Sequence, residues 1–260
     1  MSALAAIVDT ERYPLTDAAF QAACRETLAG TGALVLPGFL LPEATESLRR
    51  EGEAKQDLAY FCTQSHNVYL TAPDPDYPAD HPRNREVVSS KGCITDDQVA
   101  PDSALRALYD AEAFRGFLCA VLGEDQLHAY ADPLSSVNLH YARPGQELGW
   151  HFDNSSFAIT LMVQAPEAGG AFEYVGAVRD ADAGDMNFEA TARVLDGEIA
   201  PARLAMEAGA LVLFRGRNAL HRVAPVAGRR TRMLAVLAYN SQPGIALSES
   251  ARRTFYGRLG

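Results

Sequence analysis

The pair His151-x-Asp153, joined far downstream by His221 and then Arg232, carries the chemistry this sequence offers. Side chains alternate along a strand, so His151 and Asp153 share one face. His221 would complete a set of two imidazoles and one carboxylate. That set grips Fe(II) on one face of an octahedron and leaves the remaining positions open to a co-substrate and dioxygen. A guanidinium beyond the second histidine adds a clamp that takes a carboxylate through two parallel hydrogen bonds. His-x-Asp alone is common, and a lone histidine is more often structural. The weight comes from order: His221 follows the apolar run Ala210-Leu-Val-Leu-Phe and precedes Val223, Pro225, Gly228 and Arg232.

Three arginines compete for the clamp. Arg229 and Arg230 sit in the turn after Gly228, whereas Arg232 opens the run Met233-Leu-Ala-Val-Leu-Ala-Tyr239. A guanidinium anchored on a strand is better held for bidentate binding than one in a turn. Arg232 is therefore preferred, Arg230 is second, and Arg229 reads as a solvated basic turn. For substrate, Asn154 after the carboxylate and Asn240 at the end of the last strand offer polar groups. Arg215, Arg217, Glu173 and Arg179 flank the metal-bearing strands. Turn hydrogen bonding for the asparagines and exposed ion pairing for the rest are the stronger reading of each. Trp150 and Phe152 alternate with the ligands and should turn into packing.

The elements that must position these groups are short strands from about residue 135 onward. Runs at 136–141, 151–153, 157–163, 171–175, 210–214, 222–225 and 232–239 are separated by Gly, Pro or polar turns. Evenly spaced short strands predict a closed sandwich or barrel. The first 125 residues read mainly as helix and loop: Thr16 and Asp17 cap a helix to about Leu28, and Pro42 opens a second. Helices recur near 103–109 and 111–122, after a short strand at 33–36. Residues 63–101 hold Pro73, Pro75, Pro78, Pro82, His66, His81, Tyr69, Tyr77 and Arg83, and read as a substrate-facing lid or a wandering loop. The whole predicts one domain, 1–260, mainly β with flanking helices. Its jelly-roll core spans 126–245, its tail 246–260.

Composition excludes several partner classes. Of 260 residues, 48% are apolar and 22% charged, with a net charge of −10. Such a balance disfavours a nucleic-acid or anionic-membrane surface. Four cysteines without a C-x-x-C pair suggest reduced thiols and no zinc site. The start lacks the charge and apolar run of a signal peptide, and no stretch reaches the ~18 apolar residues of a spanning helix. The expectation is a cytoplasmic chain acting on a small molecule, with homodimerisation left open.

The pattern Tyr141-x-x-Pro-Gly, His151-x-Asp153, Gly169-Gly170, His221-x-Val-x-Pro and Gly228-x-x-x-Arg232 resembles the Fe(II)/2-oxoglutarate-dependent oxygenases. The resemblance covers roughly residues 135–240. It implies a double-stranded β-helix of cupin-like form, iron on His151, Asp153 and His221, and 2-oxoglutarate on Arg232. It implies that Tyr141, ten positions before the first histidine, offers a phenol to the same carboxylate. Phe152-Asp-Asn, Gly-Gly-Ala-Phe-Glu-Tyr, Phe-Arg-Gly-Arg-Asn and the tail Phe255-Tyr-Gly-Arg258 are similar to a branch acting on free amino acids, which includes hydroxylases and radical halogenases. The halogenases replace the carboxylate ligand with a small residue. Asp153 therefore implies hydroxylation with release of succinate and CO2, with desaturation or cyclisation as alternatives. A cupin-like metal protein that does not use 2-oxoglutarate is the other reading, and Arg232 discriminates against it.

Overall fold

A computed structural model describes residues 3–260. The N-terminal part supplies α1 (Ala18–Thr31), β1 (Ala33–Leu36), α2 (Pro42–Lys55), β2 (Tyr60–Asn67), β3 (Glu86–Ile94), α3 (Ala104–Asp110) and α4 (Glu112–Leu122). The barrel strands follow: β4 (Val137–Ala142), β5 (Leu148–His151), β6 (Ala158–Gln164), β7 (Ala168–Gly169) and β8 (Phe172–Val175). After α5 (Phe188–Leu195) come β9 (Ala202–Leu204), β10 (Leu211–Phe214), β11 (Leu220–Val223), β12 (Val226–Ala227), β13 (Arg232–Leu237) and α6 (Glu249–Tyr256).

The sheet is antiparallel and runs β1-β10-β6-β13-β4-β3-β5-β11-β8-β9, with β2 paired to β3. It doubles back at β3. The second half of β3 pairs with β4 through Gly92 and Tyr141, while Ser89 pairs with Leu148 of β5. One strand thus serves as the corner between a larger layer and a smaller one. This is the expected jelly roll with helices outside it.

Strand parity divides the larger layer into two faces. Ile159, Leu161 and Val163 of β6, Leu213 of β10, Met233, Ala235 and Leu237 of β13, and Leu139 and Tyr141 of β4 join the main core. The helices close that core: Leu28 of α1, Leu48 of α2, and Phe114, Phe117 and Leu118 of α4 are all buried within it. Burying such side chains contributes roughly 1.5–3 kcal/mol each. Residues of the other parity, Thr160, Val212, Phe214, Arg232, Leu234 and His140, line a cavity inside the barrel. The helical layer therefore braces the sheet from behind and leaves its inner face for chemistry.

Two segments differ from the sequence expectation. Residues 63–101 are not one loop, because most of β2 and all of β3 fall within them. What connects these strands, 68–85, is pinned by Asn84, whose side chain receives Asp74 N at 2.7 Å and donates to Asp74 O and Tyr77 O at 2.8 Å. The tail, assigned no element from sequence, holds α6, which is capped by Ser248 and lies on β2, where Gln64 Nε2 donates to Thr254 O at 3.0 Å. Among the described residues no helix is long and apolar enough to cross a membrane.

Candidate metal centre and its two cavities

His151 ends β5 and His221 lies in β11, and the two are direct partners in the antiparallel ladder. Their rings stand 4.2 Å apart between centroids. Asp153, two residues past His151, turns back toward both. Its Oδ1 is 3.8 Å from His151 Nε2 and 3.5 Å from His221 Nε2. Ligand atoms of the three lie within 4.8 Å of one another, the one such His/Cys/Asp/Glu cluster among the described residues.

The histidines are oriented from behind. His151 Nδ1 donates to Gly149 O at 2.8 Å, and His221 Nδ1 donates to Ala219 O at 2.9 Å. With the proton fixed on Nδ1, each Nε2 presents a lone pair, the tautomer a metal requires. Burial and the neighbouring His221 pull the His151 pKa down to about 3, so protons do not compete for it near neutrality. Burial alone would raise the Asp153 pKa, but the adjoining imidazoles, His221 foremost, hold it below the ordinary carboxylate range. Phe172 stacks on His221 with centroids 5.5 Å apart, and Phe214 meets it edge-on at 4.9 Å. Three ligand atoms on one side leave the other side open, which suits a catalytic rather than a structural ion.

Gly216 is part of this geometry. A Cβ there would lie 1.9 Å from Asp153 Oδ2, and Asp153 N donates to Gly216 O at 3.1 Å. Gly216→Ala is expected to push the carboxylate out of line and weaken metal binding about 10–100-fold, as loss of an outer-shell partner does. Metal titration of the variant with a fluorescent competitor checks this, and unchanged affinity would refute it.

The cluster stands between two cavities. The inner one, about 280 Å³, runs inside the barrel from His151, Asp153 and His221 to Arg232. The outer one, about 590 Å³, opens between β2, β3, the 68–85 connection and α6. Arg232 is 4% exposed, and its Nε and Nη2 have no hydrogen-bond partner. Burial pulls its pKa down to about 10, so the guanidinium remains charged at neutral pH. An unpaired buried cation is costly, and a carboxylate is its natural complement.

The remaining predicted residues separate clearly. Asn154 lines the outer cavity and is exposed. Arg230 lies in an exposed turn beside α2, away from the cluster. Tyr141 faces the helical layer, where its hydroxyl donates to Gly52 O at 2.7 Å, so the inner cavity receives its neighbour His140 instead. Arg215 reaches out to Leu122 O at 2.7 Å. Glu173 is buried and fully engaged, held by Arg203 at 2.9 Å and Arg222 at 2.8 Å. Asn240 bridges to His128 and lines neither cavity. Arg179 stacks over Phe152 at 4.1 Å, and Arg217 pairs with Asp182 at 2.8 Å. Trp150 and Phe152 are buried in a second core with Val68 and Tyr69. Lys91, His140 and Gly216 were missed as site residues; the Phe-Arg-Gly-Arg motif was the available signal for the last. Tyr141→Phe is expected to leave 2-oxoglutarate affinity unchanged and cost about 1 kcal/mol of stability. Calorimetric titration and denaturant unfolding measure the two, and a large loss of affinity would refute the assignment.

A jelly roll with an open His-Asp-His face and a buried arginine beside it defines the architecture of the 2-oxoglutarate-Fe(II) oxygenases. The sequence profile of HalD, Halogenase D, matches residues 16–254, and the chain belongs to that family. Solved structures share the fold. A 2OG-Fe(II) oxygenase family oxidoreductase from Burkholderia pseudomallei has 15% identity and a TM-score of 0.53 over 86% of this chain and 92% of that chain. AviO1 from Streptomyces viridochromogenes Tue57 has 18% identity and a TM-score of 0.55 over 88% and 97%. The non-heme alpha ketoglutarate dependent carbocyclase SnoK from nogalamycin biosynthesis has 12% identity and a TM-score of 0.59 over 88% and 89%. No curated relative matches the chain in sequence.

Proposed function

We propose that this protein is an Fe(II)- and 2-oxoglutarate-dependent oxygenase that hydroxylates an unactivated C–H bond of a small metabolite, a free amino acid or a derivative of one. One observation carries the reading: the buried guanidinium of Arg232, without a partner, lines the same inner cavity as His151, Asp153 and His221. A site of about 280 Å³ falls near the lower end of small-ligand cavities, roughly 300–1,000 Å³, and suits a five-carbon diacid. His151, Asp153 and His221 would hold the iron, and Arg232 the distal carboxylate of 2-oxoglutarate. When bound, the iron and 2-oxoglutarate together supply the oxidising power of dioxygen, with succinate and CO2 as co-products. The chain's own part is orientation and exclusion of water. Phe172 and Phe214 wall the inner cavity with apolar surface, while the outer cavity presents polar groups to substrate.

Asp153 bears on the outcome within a family named for a halogenase. Its carboxylate would be the third ligand, so no small residue stands there to make room for a halide. Hydroxylation is favoured on that ground. Desaturation or cyclisation of the same substrate is the alternative, since an enzyme of similar fold is a carbocyclase. Anaerobic Fe(II) with 2-oxoglutarate should give a weak visible charge-transfer band. Screening the twenty amino acids and common derivatives for succinate release then finds the substrate, and mass spectrometry reads gain of one oxygen against loss of two hydrogens. Absence of the band at saturating ligand rejects the oxygenase reading. A mainly chlorinated product in chloride overturns the argument from Asp153.

A further inference from the structure

Two cations line the inner cavity, and the reading above uses one of them. The other is Lys91 on β3, opposite Cys62 of β2. Its Nζ donates to His140 Nδ1 at 3.4 Å and stands 5.8 Å from the centre of the Phe255 ring. Among the described residues no carboxylate bonds it directly, and Asp153 acts on it only at longer range. Because an ammonium only donates, His140 Nδ1 accepts and its proton resides on Nε2. Lys91, Leu148, His151 and Asp153 are the residues that line both cavities, so this ammonium stands at the neck where substrate would meet the cluster.

The charges in the inner cavity set what Lys91 is for. Besides its histidines, its charged lining is Lys91, Arg232 and Asp153. A divalent ion brings two positive charges and a 2-oxoglutarate dianion removes two, while Lys91, Arg232 and Asp153 together sum to one positive charge. One positive charge therefore remains in excess, and of the two cations Lys91 is the one that stands at the neck. Lys91 is only half-buried, but an ammonium partly withdrawn from water still gains from a directly bonded anion.

Resting on the oxygenase reading, we propose that Lys91 binds a carboxylate of the substrate at the neck between the cavities and so restricts the enzyme to small carboxylate-bearing molecules. A carboxylate seated there leaves the carbon chain beside His151 and Asp153, where the open face of the cluster lies. Burial lowers the Lys91 pKa, and a bound carboxylate would reverse that shift.

The test uses full-length protein held anaerobic with Fe(II) and 2-oxoglutarate, so that binding is read without turnover. The probes are the twenty amino acids with simple 2-hydroxy and dicarboxylic acids, and the signal is perturbation of the visible band together with calorimetric heat. At least one carboxylate should bind wild-type protein, and its carboxamide should bind about 10–100-fold more weakly, the worth of a charged hydrogen bond. Lys91→Met should show the same loss toward the acid, with the 2-oxoglutarate titration unchanged, and Lys91→Arg should recover part of it. The acid–amide comparison needs no variant and stands even where Lys91→Met fails to fold. Equal binding of acid and amide, wild-type protein that no acid perturbs, or Lys91→Met that binds the acid normally each overturns the proposal while leaving the oxygenase reading intact. Loss of 2-oxoglutarate affinity in Lys91→Met to the extent seen for Arg232→Ala overturns it by assigning Lys91 to the co-substrate. A band that never forms in wild-type protein removes both.

Discussion

Arg232→Ala is expected to raise the Kd for 2-oxoglutarate by roughly 30- to several-thousandfold, whereas Arg230→Ala changes it by no more than about twofold. The first figure follows from the ~2–5 kcal/mol lost when one member of a buried, hydrogen-bonded charge pair is truncated. Arg232 is buried with Nε and Nη2 unpaired in the inner cavity, while Arg230 stands in solvent on another side of the molecule. Titrating the visible charge-transfer band with 2-oxoglutarate in each variant measures both. Equal effects would remove Arg232 from its role. Lys at this position should recover only part of the affinity, because an ammonium cannot present two parallel donors.

His221→Ala should eliminate the band altogether and reduce substrate-dependent succinate release more than the ~10–100-fold caused by losing an outer-shell partner. The structural reason is that His221 has no understudy. The other imidazoles beside the cluster, His66 and His140, are engaged elsewhere: His66 Nε2 meets Ser89 Oγ at 2.7 Å and His140 Nδ1 meets Lys91. His151→Ala should behave alike. Retention of the band in either variant, with native circular dichroism, would contradict the assignment of the metal centre.

Much of this arrangement was legible in the sequence, and the misses have physical causes. His151 and Asp153 are legible as a pair because they are two apart, although β5 ends at His151 and Asp153 is held by the bond from its N–H to Gly216 O rather than by strand alternation. The parity of β4 is another matter. A five-residue turn, 143–147, separates it from β5, so nothing local says whether Tyr141 or His140 faces inward. The fold resolves it by packing Tyr141 against Gly52 of α2. β2 and β3 escaped notice because Thr63, Gln64, Ser65, His66 and Lys91 give them no alternation of polar and apolar residues. They are strands because of pairing between distant segments, which local propensity does not record. Glu173 and Arg215 were chemically suitable for substrate but are consumed by partners on the outer faces, Arg203 and Arg222 for one and Leu122 O for the other.

The facing of His151 and His221 across adjacent strands has a consequence for assembly. Slipping β11 by one residue would carry His221 to the outside and bring Arg222 into its place, because side chains alternate. The grip on the ion is therefore a readout of correct strand alignment. A chain in which β5 and β11 have not paired lacks His221 beside His151 and Asp153, so the three-ligand centre exists only once those strands are aligned.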